Sequence, residues 1–367
     1  MTTMDCSDRS SDDGIVPCVA EVEPPMVHGE LGDVPVFFDT EYHIRKKHHY
    51  RTVAAPTPAL EALVADTHAH FGSLGRPDIA LARCAAHGVG FVCYLCDVVD
   101  DLPGGYESFD QMMADGRSMC STIEPPIDES RIPKIRLGCG CHPENAKSYN
   151  DDVEHRLEQY LRDPRTCIVG EIGLDYHFDT SPRDVQQQVF RRQIRLAHRF
   201  GLPIALHVRE AHTDALKILR EEGVPKAGCI LHCFNLGPED VKPWIDLGCY
   251  IAFGGPLTFK KADEVREAAR LVPLDRLLTE TDCPYMAPVP VRGMECAPDD
   301  VVFTAARLAE VRGCMPGQER ATFLRAIYSN ACTLLDTPRC AELSMGPSEL
   351  RRKNIQSAGI QNKDGIK

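Results

Sequence analysis

The 367-residue sequence predicts an α/β protein built on one closed (β/α)₈ TIM barrel. Short β-rich runs alternate with amphipathic helical segments, there are eight such runs, and their span suits a barrel of about 250 residues. The runs cover residues 62–70, 88–98, 134–144, 167–176, 202–210, 227–234, 248–255 and 277–285. An open doubly wound sheet is the alternative, but its G-x-G-x-x-G phosphate loop is missing after the first run.

The barrel is predicted to lie between two segments of different character. Residues 1–60 have weak apolar periodicity and several prolines, which indicates a mostly irregular N-terminal arm. Residues 61–340 form the predicted barrel domain, which ends in two C-terminal helices within 297–313 and 317–336. Residues 341–367 are polar and indicate a C-terminal tail.

Composition indicates a soluble globular protein, with 43% hydrophobic and 26% charged residues. No run approaches the roughly 20 apolar residues that span a bilayer, so no membrane contact is expected. The acidic N-terminus lacks the features of a secretory signal, and a cytoplasmic location is expected. The net charge of −13 disfavours long-range attraction of duplex DNA, and no feature identifies a protein partner.

The 17 cysteines are interpreted as reduced thiols that pack in the core. Most of them lie in apolar runs, where a free cysteine behaves as a small hydrophobic side chain. Cys93 and Cys96 form a C-x-x-C pair, which can mark a redox or zinc site. Because the pair lies within a predicted strand and has no second C-x-x-C, it is also assigned to the core.

Side chains suited to metal binding recur at the predicted strand ends. In a (β/α)₈ barrel the carboxyl ends of the strands form the face that carries the active site. Six ligand-type side chains fall there, and together they predict a metal centre: His68, His70, Glu171, His207, His232 and Asp282.

Each candidate also has a structural interpretation. His68 and His70 are two apart on a strand, so both rings face one side, and Glu171 lies in an apolar run without a basic neighbour. Glu171 could instead pair with a distant arginine. His207 and His232 each follow apolar residues, as core histidines also do. Asp282 could serve an Asx-turn or helix cap.

Six ligands exceed the needs of one tetrahedral zinc ion and suit two divalent metal ions. His68, His70 and Asp282 are assigned to one metal, His207 and His232 to the other, and Glu171 to the bridge. Imidazole and carboxylate ligands are compatible with zinc, manganese, iron or magnesium. The expected chemistry is hydrolysis by a hydroxide bridging the two metals, with Glu171 and Asp282 as catalytic residues and Asp282 accepting the proton.

Several strings, in order, resemble the TatD family of metal-dependent deoxyribonucleases in the amidohydrolase superfamily. The most specific are GEIGLDYH at 170–177 and LLTETDCPY at 277–285, which resemble two family signatures. The similarity extends over about residues 66–335. It also includes DTHAH (66–70), GCHP (140–143), DVQQQVFRRQIRLA (184–197), LHVREA (206–211) and HCF (232–234).

The resemblance implies a (β/α)₈ hydrolase that cleaves phosphodiester bonds in DNA, often as a 3′–5′ exonuclease on single strands or ends. It implies Mg²⁺ as the activity cofactor, with Zn²⁺ or Mn²⁺ also able to occupy the site. It further implies that His142 and Arg209 contact the substrate phosphate. Their alternatives are a turn contact beside Pro143 for His142 and an ion pair with Glu210 or another carboxylate for Arg209.

The sequence departs from the family pattern in two places. Cys296 and Ala297 stand where the family has Asn and Glu, and Asn235–Leu236 follow HCF in place of small residues. Both changes are expected in loops at the rim, where substrates are selected. Two alternatives therefore stay open. One is a hydrolase of a small phosphoester, lactone or amide, and the other is a non-catalytic, metal-bound scaffold that binds partners through residues 1–60.

Overall fold

Eight parallel strands form the centre of the molecule. The structure, a computed structural model, describes residues 58, 60–100, 104–123 and 126–336, and the backbone of four short strands before them. Consecutive barrel strands pair in parallel throughout, in the order of the sequence. Their bounds are Val64–Ala69 (β1), Val89–Asp97 (β2), Lys134–Gly140 (β3), Thr166–Asp175 (β4), Ile204–Arg209 (β5), Cys229–Leu231 (β6), Tyr250–Phe253 (β7) and Leu277–Thr279 (β8).

The sheet closes between its first and last strands. Ala69 forms a parallel bridge with Cys283, just beyond β8. The Thr67 hydroxyl donates to the carbonyl of Thr279 (3.1 Å), and the Thr279 hydroxyl donates to the carbonyl of Ala65 (2.8 Å). Side-chain hydrogen bonds thus replace part of the missing backbone ladder, and the predicted (β/α)₈ barrel is confirmed.

Helices follow the strands and cover the outside of the barrel. Several end at a glycine in the left-handed region, for example α1 at Gly88 and α5 at Gly201, as helix C-termini commonly do. Their bounds are Pro77–His87 (α1), Gly104–Glu107 (α2), Phe109–Thr122 (α3), Asp151–Arg162 (α4), Arg183–Phe200 (α5), His212–Glu222 (α6), Pro238–Asp246 (α7), Asp263–Leu271 (α8), Val301–Val311 (α9) and Gln318–Leu335 (α10).

The last helix packs against the barrel strands. Ala331, Leu334 and Leu335 of α10 belong to one apolar cluster with buried side chains from seven of the eight strands. Cys93 is a member of this cluster, Cys96 is buried in the main core, and none of the 14 cysteines described by the structure is in a disulfide. The prediction that the C-x-x-C pair belongs to the core is confirmed.

The segments outside the barrel are described only in part. In the N-terminal arm, Met26–Val27 pairs antiparallel with Val34–Pro35, and Glu41–Lys46 pairs antiparallel with His49–Ala54. The predicted tail, residues 341–367, lies outside the described residues. Within the described part of the chain, no helix has the length and apolar character needed to cross a bilayer.

Candidate metal centre

All six predicted ligand side chains meet at the carboxyl end of the barrel. Three lie within strands β1, β4 and β5, namely His68, Glu171 and His207. The other three follow the ends of β1, β6 and β8 within three residues, namely His70, His232 and Asp282. Parallel strands end on one face, so these side chains lie together although the chain separates them widely.

The carboxylate of Glu171 lies at the centre of the cluster and is only 9% exposed. Its Oε1 is 2.7 Å from Nε2 of His232 and 2.8 Å from Nδ1 of His207. Its Oε2 is 3.4 Å from Nε2 of His68 and 3.7 Å from Nε2 of His70. The partners of this buried carboxylate are thus histidines, and not the distant arginine of the structural interpretation. Such a donor set suits a divalent transition metal.

A first group of ligand atoms joins β1 to the segment after β8. The Nε2 atoms of His68 and His70 are 3.2 Å apart. Oδ1 of Asp282 lies 3.6 Å from Nε2 of His70 and 4.0 Å from Nε2 of His68. The donor atoms of all three residues lie within 4.8 Å of one another, which is close enough to share one metal ion.

A second group consists of His142, Glu171 and His207. Nε2 of His142 is 3.9 Å from Oε1 of Glu171. The backbone N–H of His142 donates to Asp97 (2.6 Å), and its Nδ1 accepts from the backbone N–H of Glu144 (3.3 Å). A ring nitrogen that accepts carries no proton, so the neutral ring carries its proton on Nε2. His142 therefore presents a donor to the centre of the cluster.

A third group consists of His68, His232 and Glu280. Glu280 is fully buried, accepts from the backbone N–H of Cys233, and places Oε1 3.6 Å from Nδ1 of His232. Three buried atoms here make no hydrogen bond in the structure: Nδ1 of His68, Nδ1 of His232 and Oε2 of Glu280. Nε2 of His68 and of His232 face Glu171, so Glu280 lies behind His232, where metal-binding histidines commonly have a carboxylate partner.

Asp175 is a member of the site that the sequence interpretation missed. It is 1% exposed, and its Oδ2 is 2.8 Å from Nε2 of His207, whose Nδ1 faces Glu171. Histidines that bind metals commonly donate their other ring N–H to a carboxylate, which fixes the orientation of the ring. Even spacing along a strand was the available signal, since residues 171 and 175 share one face of an ideal strand.

Asp66 is a second residue of the site that the sequence interpretation missed. It holds the backbone segments that carry His68 and Asp282. Its Oδ1 accepts from the backbone N–H of His68 (3.1 Å) and of Thr281 (3.0 Å). Its Oδ2 accepts from the hydroxyl of Thr281 (2.6 Å). One buried carboxylate therefore holds β1 and the segment before Asp282 at a fixed distance.

The cluster perturbs the pKa of its members strongly. Burial opposes a charge on Glu171, but the histidines around it, His232 first, lower its pKa well below the usual value. Burial likewise opposes a charge on His207, whereas hydrogen bonds to Asp175 and Glu171 raise its pKa to about 9. Burial and the nearby His207 lower the pKa of His142 to about 3. His142 is therefore neutral at physiological pH.

Gly173 allows β4 to lie close to the strand that carries His207. Its φ is +146°, a conformation that residues with side chains rarely adopt. A Cβ atom at this position would lie 1.9 Å from the carbonyl oxygen of His207. The glycine in the GEIGLDYH string thus sets the spacing between the strands of Glu171 and His207.

The predicted substrate contact Arg209 lies at the end of β5. Its guanidinium lies 4.7 Å from the centroid of the Phe178 ring, and Glu210 instead contacts Nδ1 of His177 (2.7 Å). The alternative of an Arg209–Glu210 ion pair is therefore not what the structure shows. Arg209 instead forms a cation–π contact beside the cluster.

Cys296 and Ala297 lie in the predicted loop after the last strand, but their side chains face the interior of the protein. Cys296 is fully buried and Ala297 is 8% exposed. The backbone N–H of Cys296 donates to the carbonyl of Pro284 (3.1 Å), next to Tyr285. These small side chains pack beneath the segment that follows Asp282, so the departure from the family pattern lies in the support of the site. Asn235, after HCF, is exposed.

Comparison with known proteins agrees with this arrangement. YabD, an uncharacterized metal-dependent hydrolase of Bacillus subtilis, is 40% identical over 178 residues, which cover 48% of this chain and 70% of that protein. The human 3′-5′ RNA nuclease TATDN2 is 30% identical over 261 residues, covering 70% of this chain and 33% of that protein. The crystal structure of YJJV, a TatD homologue from Escherichia coli, superimposes with a TM-score of 0.61 at 28% identity, covering 75% of this chain and 98% of that one.

The sequence model of the family described as TatD related DNase matches residues 65–336. This range includes all the barrel strands, except for Val64 at the start of β1, and all six clustered ligand-type side chains. The resemblance inferred from the motifs is thus confirmed over most of the chain. The chain therefore belongs to the TatD related DNase family, whose matched members bear out the expected class of metal-dependent hydrolase.

Proposed function

We propose that the chain hydrolyses phosphodiester bonds of DNA, as a 3′–5′ exonuclease acting on single strands or ends. The observation that carries the proposal is the convergence of Glu171 and five other ligand-type side chains at the mouth of a barrel of this family. Phosphodiester hydrolysis requires stabilisation of charge on the phosphoryl oxygens, and a carboxylate–imidazole metal site supplies it.

The chain offers places for two divalent ions. His68, His70 and Asp282 would hold one, and His207 and His232 the other, with Glu171 between them. The ions would supply Lewis acidity toward the phosphoryl oxygen and would lower the pKa of water. Mg²⁺ is proposed for activity, with Zn²⁺ or Mn²⁺ as alternatives. The imidazole ligands suit a transition metal, whereas Mg²⁺ would rely on the carboxylates and on water.

Asp282 is proposed as the general base. Hydrogen bonding to His70 and the neighbouring imidazoles lower its pKa in spite of burial, so it is ionised near neutral pH. Its side chain is 15% exposed, more than that of Glu171, and therefore more accessible from the mouth. Asp282 would accept the proton of the attacking water and return it to the leaving oxygen.

His142 and Arg209 are proposed to bind the phosphate. The Nε2 proton of neutral His142 faces the cluster and would donate to a non-bridging oxygen. The guanidinium of Arg209 is always charged and suits phosphate. In a chain of net charge −13, local positive charge such as that of Arg209 must provide the attraction for a polyanion.

RNA is the second candidate substrate. It is favoured by the similarity to the human 3′-5′ RNA nuclease TATDN2 over 70% of this chain. The same site chemistry serves both nucleic acids, because the phosphodiester is common to them. Discrimination between them would depend on contacts to the 2′-hydroxyl.

The test is cleavage of single-stranded DNA and RNA, labelled at either end, by metal-stripped protein after addition of Mg²⁺, Mn²⁺ or Zn²⁺. Stepwise shortening from the 3′ end is expected, and Glu171→Ala and Asp282→Asn should abolish it. The exposed residues Glu239 and Asp184 supply matched controls, Glu239→Ala and Asp184→Asn, which should cleave as the native protein does. Folded, metal-loaded protein that cleaves neither polymer would refute the proposal.

A further inference from the structure

Two aromatic side chains are exposed beside the metal centre. Phe178 is 39% exposed and Tyr285 is 55% exposed. Within the described residues, no other phenylalanine, tyrosine or tryptophan is this open to solvent. Large aromatic side chains are usually buried, so their confinement to one mouth of the barrel points to a ligand that binds there.

Short hydrogen-bonded segments connect both aromatics to the cluster. Asp175, whose Oδ2 contacts His207, accepts from the backbone N–H of Phe178 through Oδ1 (2.8 Å). The backbone N–H of Tyr285 donates to the carbonyl of Asp282 (2.9 Å). Each ring is therefore attached within three residues of a carboxylate of the site, and its backbone position is fixed by that residue.

The two aromatics lie on opposite sides of the barrel mouth. Phe178 follows β4 and Tyr285 follows β8, and in a closed sheet of eight sequential strands these two are four strands apart in both directions. The ligand cluster lies between them, with Glu171 from β4 and Asp282 from beyond β8. A chain that extends from one ring to the other passes over the metal centre.

We infer that Phe178 and Tyr285 are stacking platforms for two nucleobases of a single-stranded substrate, one on each side of the phosphate at the metal centre. The inference rests on the proposed function and deepens it by assigning contacts to the bases. Aromatic rings bind bases of any sequence, because every base has a π-face. The guanidinium of Arg209, 4.7 Å from the Phe178 ring centroid, places a positive charge where the backbone would pass.

This arrangement selects single strands over duplexes. Bases within a duplex are already stacked on their neighbours, so they reach an external ring only when the strand is unpaired. The net charge of −13 offers no general attraction for the doubled charge density of a duplex. Stacking adds affinity without requiring a basic surface, which suits an acidic protein that binds a polyanion.

The test is equilibrium binding of a short single-stranded oligonucleotide to the metal-loaded full chain. Phosphorothioate linkages, which resist hydrolysis, keep the probe intact, and fluorescence anisotropy reports binding. Phe178→Ala and Tyr285→Ala should each weaken binding about 5- to 100-fold. Phe178→Tyr and Tyr285→Phe should keep native affinity, because the aromatic ring is retained.

Base removal supplies the complementary half of the experiment. An oligonucleotide with abasic positions should bind the native protein more weakly than the normal strand does. The Phe178→Ala, Tyr285→Ala double variant should bind the two strands equally well. Met315→Ala is the control, since Met315 is 63% exposed in the loop between α9 and α10. Equal native affinity for normal and abasic strands would overturn the inference, as would native affinity in both alanine variants or a failure of the native protein to bind.

Cleavage of labelled DNA or RNA by the same proteins separates this inference from the proposed function. Native protein that binds through both rings yet cleaves neither polymer would refute hydrolysis and leave the stacking platforms in place. Cleavage with an unchanged KM in both alanine variants would refute the platforms and leave hydrolysis in place. A raised KM with a nearly native kcat for labelled strands supports both.

Discussion

Asp175→Asn tests how the site holds His207. In the native protein Oδ1 of Asp175 accepts from the backbone N–H groups of His177 and Phe178, while Oδ2 faces Nε2 of His207. An asparagine keeps its single oxygen on the two backbone donors and turns its NH₂ toward His207. A histidine that binds a metal is neutral, so Nε2 of His207 must then accept and its one ring proton moves to Nδ1, the nitrogen that faces Glu171.

The magnitude follows from this change of tautomer. A protonated ring nitrogen cannot bind a metal, so His207 is lost as a ligand or must reorient. Loss of a supporting partner of this kind costs about 10- to 100-fold in metal affinity, or roughly 1.4 to 2.7 kcal/mol. Metal-free protein should also lose about 1.5 to 3 kcal/mol of stability, because a charge-assisted hydrogen bond disappears from a residue that is 1% exposed.

The assay is calorimetric titration of metal-stripped protein with Mn²⁺ or Zn²⁺, well below the melting temperature of each variant. Asp184→Asn, an equal loss of charge at an exposed position in the first turn of α5, should bind as the native protein does. Native metal affinity in Asp175→Asn would refute the view that Asp175 sets the tautomer of His207.

Three further results are expected. Metal at about 100 times its Kd should stabilise the native protein by about 2.7 kcal/mol, and Glu171→Gln should lose most of this gain in thermal unfolding. Gly173→Ala should destabilise by about 3 kcal/mol, because its Cβ would lie 1.9 Å from the His207 carbonyl. Burial and the neighbouring Asp299 raise the pKa of Asp300 to about 7. As pH rises from about 4 to 7, Asp300→Asn should therefore become more stable relative to the native protein, by up to about 1.4 kcal/mol per pH unit.

Between about pH 4 and 7, the folded native protein keeps a proton on Asp300 that the unfolded chain has released. The native protein therefore loses stability as pH rises through this range. Parallel curves of stability against pH for the native protein and Asp300→Asn would contradict this expectation.

Gly75→Ala is the control for Gly173→Ala, since no atom lies within 4 Å of its added Cβ. Equal stability of the two alanine variants would show that the strand spacing adjusts freely. Undiminished metal stabilisation in Glu171→Gln would remove Glu171 from the ligand set.

The eight strands could be predicted because each is buried and apolar along most of its length, but their ends could not. The apolar runs at 227–234 and 277–285 end as strands at Leu231 and Thr279. Beyond these points side chains take over the backbone donors: Glu280 accepts from Cys233, and Asp66 accepts from Thr281. Hydrophobicity alone does not reveal where such side-chain bonds replace the ladder.

The convergence of the six ligand-type side chains could be predicted because such side chains are rare in apolar runs and recur at strand ends. The contact between His207 and Asp175 could not be predicted. Which ring nitrogen of His207 faces Asp175 depends on the register between β4 and β5, and this register shifts between Val169 and Ile172. The burial of Cys296 could not be predicted for a related reason. A small residue in a proline-rich loop can face either solvent or the interior, and only its packing decides which.

The closure of the barrel determines when the site can exist during synthesis. Thr279 and Ala65 share a hydrogen bond across 214 positions, and the Asp282 N–H donates to the carbonyl of His68 (2.9 Å). The His68–His70–Asp282 group therefore assembles only after the ribosome has released the chain beyond its eighth strand. A growing chain carries most of the barrel without this group. The nascent chain thus lacks this group of candidate ligand atoms until its last barrel strand has emerged.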